Sequence, residues 1–428
     1  MMKDTLNPND IDRSGLEPQK YMMANGQPLY FFPDRGTELV KLDFIFRAGT
    51  VFQEKKMQSA AAVQLLTEGT KRYTAQQIAE FMDYRGIVVE KGNDTVSATM
   101  TVYTLSRYLD ELLPMLYEII TEPAYDKREF SVYIGKRKQE LLTHMQQTSF
   151  VARNSFYASL YGDKHPLGTF ATPDDLDMLD VADVAAFHNR YHSLESMTVV
   201  VAGNVVDKDL KNIENIFAQQ KYVAPVDIVL PEPMGARGVR VDEFLPNAVQ
   251  TSLRIGRLLP YSWHDVEYSQ FMVLNTLLGG YFGSRLMSSI REDKGYTYGI
   301  YSQTHLFKGS VAFFIVSDVG ADVAEMALRD IRVELDKLCN EQVSTDELDL
   351  VRNCMMGDFM RSIDGIFERS ERFCQMLTNG ITERFTDNYF DVLTPDTPQA
   401  ITPEKIQSLA AAILAPEELT VVTVGRNR

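Results

Sequence analysis

The sequence predicts an α+β protein of two similar domains, each a mainly antiparallel sheet with helices packed on one face. Three observations predict it: strands of period-two alternation, helical windows between them, and the same order of both in the two halves of the chain. Each half opens on an alternating strand. Val40, Leu42, Phe44 and Phe46 alternate with Lys41, Asp43 and Arg47, and Val249, Thr251, Leu253 and Ile255 alternate with Gln250, Ser252 and Arg254. Such alternation marks a strand with one buried face. A helical window follows at residues 74–84, carried by Ile78, Phe81 and Met82. Next comes Val96, Ala98, Met100 and Val102 alternating with Thr95, Ser97, Thr99 and Thr101, answered in the second half by Val311-Ala312-Phe313-Phe314-Ile315-Val316. Pro114 interrupts the apolar stretch 109–120, which predicts a kink or two short helices. A further helix is expected over residues 323–338. Both halves close alike: residues 180–204 and 402–426 each read as a helix feeding a β-rich strand that stops at glycine, Gly203 and Gly425. Pro225, Pro231 and Pro233 punctuate the join, so the domains are expected at 1–222 and 236–428 with a linker at 223–235.

The 428 residues leave room for such cores without disulfide or metal staples. With 45% hydrophobic and 24% charged residues, the composition excludes a disordered or low-complexity chain. Acidic residues outnumber basic ones, 59 to 43, and the net charge of −16 argues against nucleic acid and anionic membrane as partners. Cys339, Cys354 and Cys374 show no Cys-x-x-Cys spacing and an odd total, which suits a reducing compartment. The start, Met1-Met2-Lys3-Asp4-Thr5-Leu6-Asn7-Pro8, is too polar for a secretory signal, and no run reaches 18 apolar residues. A cytoplasmic protein is expected.

The most specific local signal is Leu278-Gly279-Gly280-Tyr281-Phe282-Gly283-Ser284-Arg285-Leu286 followed by Ile290-Arg291-Glu292-Asp293-Lys294-Gly295-Tyr296-Thr297-Tyr298. The glycine-rich stretch lacks the Gly-Lys-Ser/Thr of a phosphate-binding loop. Together with Phe46-Arg47-Ala48-Gly49-Thr50, residues 65–70 and residues 191–204, these segments resemble the pitrilysin and insulin-degrading-enzyme family of zinc metallopeptidases, the inverted-motif zincins. The resemblance spans nearly the whole chain and is closest to the short two-domain members that include mitochondrial processing peptidase.

The resemblance implies a His-x-x-Glu-His motif ending five residues before the Gly-Thr that closes the first long helix, two imidazoles for zinc and a glutamate as general base. Counted back from Gly69-Thr70, those positions hold Ala60, Val63 and Gln64. A methyl and an isopropyl group donate no lone pair, and a neutral amide is a poor zinc ligand and no base. The position of the family's third ligand is Glu140, left without companions, so no metal is expected in this chain. In the second half, Arg291 and Tyr298 match by spacing and flanks the family's pair that holds the substrate carbonyl and stabilises the oxyanion. Gly279, Gly280 and Gly283 match the glycine-rich loop that noncatalytic subunits present to extended peptides, where flexibility and the aromatic Tyr281 and Phe282 would serve.

The resemblance thus implies a noncatalytic, substrate-binding subunit, similar to the α subunit of the processing peptidase. Its partner would be a homologous subunit bearing His-x-x-Glu-His and the zinc, in a heterodimer acting on unstructured peptides, with a homodimer as the alternative when alone. The rival is a peptide-binding or scaffolding protein of the same fold, similar to the core subunits of the respiratory bc1 complex. Among six histidines only His188 and His192 have ligand spacing, and Asn189 follows where a zinc protease would place glutamate, so a structural role at a helix C-terminus is expected. The cysteines read as packing, and Lys136-Arg137-Lys138 as a solvated helix face.

Overall fold

The computed structural model describes residues 11, 13, 15–224 and 228–426; the polar start at residues 1–10 and Pro225 lie outside the described residues. The first half supplies strands β1 (Gln19–Met22), β2 (Pro28–Pro33), β3 (Leu39–Phe46), β4 (Val88–Asn93), β5 (Ala98–Leu105) and β6 (Thr198–Gly203). Its helices are α1 (Gln58–Gln64), α2 (Ala75–Arg85), α3 (Leu109–Thr121), α4 (Lys127–His144), α5 (Thr148–Tyr161), α6 (Pro173–Asp177), α7 (Val181–Tyr191) and α8 (Asp207–Phe217). The second half supplies β7 (Arg240–Phe244), β8 (Gln250–Leu258), β9 (Thr297–Phe307), β10 (Ser310–Gly320) and β11 (Thr420–Gly425). With them come α9 (Val266–Asn275), α10 (Ala324–Asn340), α11 (Thr345–Arg361), α12 (Ile366–Asn379), α13 (Glu383–Leu393) and α14 (Pro403–Ile413). No helix among the described residues is long and apolar enough to cross a membrane.

The two sheets run β1-β2-β6-β3-β5-β4 and β7-β11-β8-β10-β9, and the orders correspond from β2 and β7 onward, β1 being an additional edge strand of the first. Each contains one parallel pair, β2 with β6 and β7 with β11, in an otherwise antiparallel sheet. The central strand of each is the alternating strand read from the sequence, with Phe44 opposite Met100 and Ile255 opposite Ile315. Local chemistry sets the helix starts: Thr74 and Asp180 each close a capping box on the third residue of the helix that follows, and Thr402 caps α14 ahead of Pro403. α3 runs unbroken through Pro114 instead of splitting in two. Its inner face, Leu112, Leu113, Leu116 and Ile120, is fully buried, and that packing against the first sheet offsets the one lost hydrogen bond.

The alternation predicts a solvated second face for each sheet, and here the structure differs. Lys41 and Asp43 are 1% and 2% exposed, and Arg254 is buried too. The cause lies far off in sequence. Helix α12 of the second half crosses the outer face of the first sheet, setting Phe373, Cys374 and Leu377 against Phe32, Ile45, Val200 and Ala202. Helix α5 of the first half does the same for the second sheet, setting Phe156, Tyr157 and Leu160 against Ala312, Phe314, Val422 and Val424. Under α12 the Lys41 ammonium lies 3.1 Å from both Asp43 and Glu371. Thr101 donates to Asp43 at 2.7 Å, and Ser370 and Cys374 approach it at 3.5 Å. Burial opposes the charge on Lys41, but Asp43, Cys374 and Glu371 outweigh it and push its pKa up.

Removing one member of such a buried pair leaves the other charge without compensation. Lys41→Met is therefore expected to cost about 3–5 kcal/mol in urea unfolding. Lys41→Met with Asp43→Leu should recover most of that loss; a double variant as unstable as the single one would contradict the pairing.

Candidate functional site: a converted metal-site helix

Helix α1 is short, entered from Met57 in the left-handed region at φ 69° and pinned at its start by Gln58, whose side-chain oxygen accepts from the backbone N–H of Glu54 and Lys55. It packs against α7 and the strands β4 and β5. Ala60 and Val63 are buried. Gln64, at the C-terminal end, turns its amide to strand β4 and donates to the carbonyl of Lys91 at 2.9 Å. Lys91 returns the bond: its ammonium donates to the carbonyl of Gln64 and to the Thr67 hydroxyl, both at 2.6 Å. This reciprocal staple ties the helix end to an edge strand and places a cation on the helix's carbonyl terminus, where the dipole favours it. Burial pushes the Lys91 pKa down, and nearby Glu68 acts against that.

Glu140 comes up from α4 and lines the same cleft as Gln64, a cavity of about 320 Å3 that also takes in Glu68, Lys91, Tyr133 and Arg137. Arg137 donates to Glu140 at 2.8 Å and Lys136 stands 4.0 Å from it. The hydrogen bond from Arg137 holds the Glu140 carboxyl below the ordinary range. A second cleft of about 540 Å3 reaches Ala60 and shares Arg137 with the first. The expected solvated face of Lys136-Arg137-Lys138 is thus divided. Lys136 is exposed, Arg137 lines both clefts, and Lys138 pairs with Asp177 on α6.

Arg291 lies in the wide helical turn Met287–Asp293 and Tyr298 near the start of β9. The two are linked directly, since the Arg291 Nε donates to the carbonyl of Tyr298 at 3.0 Å. The guanidinium lies 4.8 Å from the Phe282 ring centre, with Glu292 at 3.6 Å. Tyr298 is 94% exposed and Phe282 62%. The structure therefore gathers Arg291, Phe282 and Tyr298 on one surface. Neither Arg291 nor Tyr298 lines the clefts beside α1.

The glycines behave differently from a flexible loop. Gly279 and Gly280 finish the helical turn Thr276–Gly280, and none of Gly279, Gly280 and Gly283 has positive φ. A Cβ on Gly279 would lie 2.5 Å from the backbone nitrogen of Ser302, so this glycine lets the helix end press against β9. Gly283 fits under the Tyr281 ring, 2.9 Å from where a Cβ would be.

Residues 179–355 match the family model described as the peptidase M16 inactive domain. That stretch, less than half of the chain, is similar to the inactive-type domain of M16 peptidases. The chain is 24% identical over 311 residues to the uncharacterized zinc protease YmxG of Bacillus subtilis (strain 168), covering 71% of this chain and 74% of that one. It is 22% identical over 361 residues to the non-peptidase homolog YmxG of Helicobacter pylori, covering 81% of each. Its fold matches the crystal structure of a peptidase M16 inactive domain from Pseudomonas fluorescens, TM-score 0.84 at 20% identity over 96% of this chain and 98% of that one. It also matches a protease from Helicobacter pylori, TM-score 0.82 at 17% identity over 96% and 100%.

The residues at the position where the family resemblance puts the metal do not fit zinc. Ala60 and Val63 carry no donor atom, the Gln64 amide is committed to β4, Glu140 is engaged by Arg137, and the Lys91 ammonium stands in the same cleft. Among the described residues no group of three or more His, Cys, Asp or Glu side chains is placed to hold a metal ion. Sequence reasoning missed Lys91; neither spacing nor periodicity marks it, because its contacts come from β4 meeting the end of α1.

The remaining candidates are structural. His188 and His192 stack at 5.1 Å with an interplanar angle of 17°, and His188 bonds the carbonyl of Ile120 at 2.8 Å. Both ring nitrogens of His192 are buried without a partner. The three cysteines are free, and burial pushes their thiols up, Cys339 to about 11, the reverse of what a nucleophile needs.

Burial lowers the pKa of His188, and lowers that of His192 further, with His188 adding to the effect. An unfolded imidazole binds a proton near pH 6.5, so below that pH the unfolded state holds more protons and stability falls. The loss should reach about 1.4 kcal/mol per pH unit for each histidine. Urea unfolding of wild type and His192→Phe at about pH 7.5 and 5.5 checks this: the variant should lose less stability on acidification, and an identical loss in both would contradict it.

Proposed function

We propose that this chain is the noncatalytic, substrate-binding subunit of a two-chain zinc metallopeptidase. A homologous partner bearing His-x-x-Glu-His would bring the metal and the general base, and this chain would close the other side of the peptide chamber. The observation that carries the reading is an asymmetry. The helix that would grip the ion is converted to a structural staple, whereas Arg291, Phe282 and Tyr298 stay grouped and accessible at the surface.

What this chain's own residues do follows from their chemistry. Arg291 holds the Tyr298 backbone through Nε, which leaves its remaining N–H groups and the exposed phenol as donors toward a substrate carbonyl. Both groups stabilise developing negative charge without changing protonation state. Phe282 beneath the guanidinium fixes its plane and offers an aromatic face to an extended peptide. The odd number and wide spacing of the cysteines suit a reducing compartment, and the cytoplasm is part of this proposal.

Mixing the chain with an His-x-x-Glu-His partner and following cleavage of an unstructured peptide tests the reading. Turnover should appear only in the mixture, and Arg291→Ala or Tyr298→Phe should lower it about 100-fold or more. If the partner alone is fully active and neither variant alters the mixture, a scaffolding role replaces this one.

A further inference from the structure

A pocket of about 630 Å3 lies where the join between the halves meets the second sheet. That size suits a small organic molecule, and such pockets form preferentially where domains meet. Its walls come from the join at 228–233, from the end of β8 and the loop after it at 258–263, and from the turn between β9 and β10 at 308–310. His165, from the loop after α5, completes them. The join is fixed at its far end, since Met234 and Gly235 donate to the carbonyls of Tyr161 and Leu160 at 3.3 and 2.8 Å. On the opposite side Leu259 donates to the carbonyl of Val311 at 2.8 Å, and the Ser310 and Tyr161 hydroxyls meet at 3.0 Å. These bonds set the walls in place before anything binds, which spares a ligand the cost of ordering them.

Leu230, Pro231, Leu259, Pro260, Tyr261 and Trp263 make much of the lining apolar. Its charged side chains, Glu232 and Lys308, are of opposite sign, so a carboxylate would meet the one and an ammonium the other. His165 is 3% exposed, and burial holds its pKa down, so the ring is neutral. Its Nδ1 accepts from the backbone N–H of Leu167 at 3.1 Å, which leaves the ring proton on Nε2. That N–H makes no hydrogen bond among the described residues, although a buried donor ordinarily finds an acceptor. We propose that this pocket binds an uncharged, mainly apolar carbonyl compound, its oxygen accepting from His165 Nε2 and its hydrocarbon body resting against the join and Trp263. The assignment does not depend on the subunit reading, because none of Arg291, Phe282 and Tyr298 lines the pocket and binding here needs no partner chain.

Trp263 is the only tryptophan of the chain, and it lines this pocket but neither cleft beside α1, although His165 lines the second of those as well. Its indole N–H resonance in the full chain, isotopically labelled at tryptophan, therefore reports occupancy here. Methyl hexyl ketone should shift that resonance saturably, one molecule per chain. Octanoate and octylamine, of similar length but charged, should each bind about tenfold more weakly or worse. His165→Phe, which keeps a ring and removes the donor, should weaken ketone binding several-fold. Leu230→Trp on the join, which fills the cavity and leaves His165 in place, should abolish it. Absence of a saturable shift with the ketone, a charged analogue that binds as tightly, or undiminished binding in either variant overturns the proposal.

Discussion

Each sheet in this protein is closed on both faces, and the second face is closed by a helix from the other half of the chain. That exchange of α5 and α12 is the constraint on which the rest depends. It turns two repeats that could each have been a half-exposed sheet into one reciprocally packed body. Polar positions that would face water in an isolated repeat are thereby buried, and they survive there only because they meet one another: Lys41 with Asp43 and Glu371, Tyr157 with His305 at 2.5 Å, Tyr161 with Ser310 at 3.0 Å. The edge-strand side of α1 and the face that carries Arg291 and Tyr298 take no part in the clusters that α5 and α12 form.

The cleft beside α1 lies where the family resemblance puts a metal site, and its residues are engaged with one another instead. The helix end still needs its terminal carbonyls satisfied, and a lysine from the neighbouring strand does that, while the glutamine amide bonds back to the same strand. The carboxylate that would have completed a metal site finds a guanidinium one helical turn away. The result is a network in which Gln64, Lys91 and Thr67 bond one another, Glu68 stands near the Lys91 ammonium and Arg137 holds Glu140.

Much of the fold was legible because it rests on local patterns. The alternation through Phe44 and Leu253, the capping residues Thr74, Asp180 and Thr402, and the closing strands ending at Gly203 and Gly425 all signal their elements within a few residues. The burial of Lys41, Asp43 and Arg254 was not legible, since the helix that covers the first two lies more than 300 positions away. In the site, the loss of zinc chemistry could be read from Ala60, Val63 and Gln64 against the family spacing. The occupation of that place by Lys91 could not, because a lysine on an edge strand ordinarily points to water. The close approach of Gly279 to Ser302 was likewise not legible, since it is a contact between elements distant in sequence.

The central claim is that the α1 helix has been withdrawn from metal chemistry in this chain. Equilibrium dialysis of the purified protein against zinc, followed by elemental analysis, addresses it most directly. The account predicts no retained zinc above that of a Glu140→Ala control. One equivalent of tightly held zinc per chain, lost on Glu140→Ala, would contradict it.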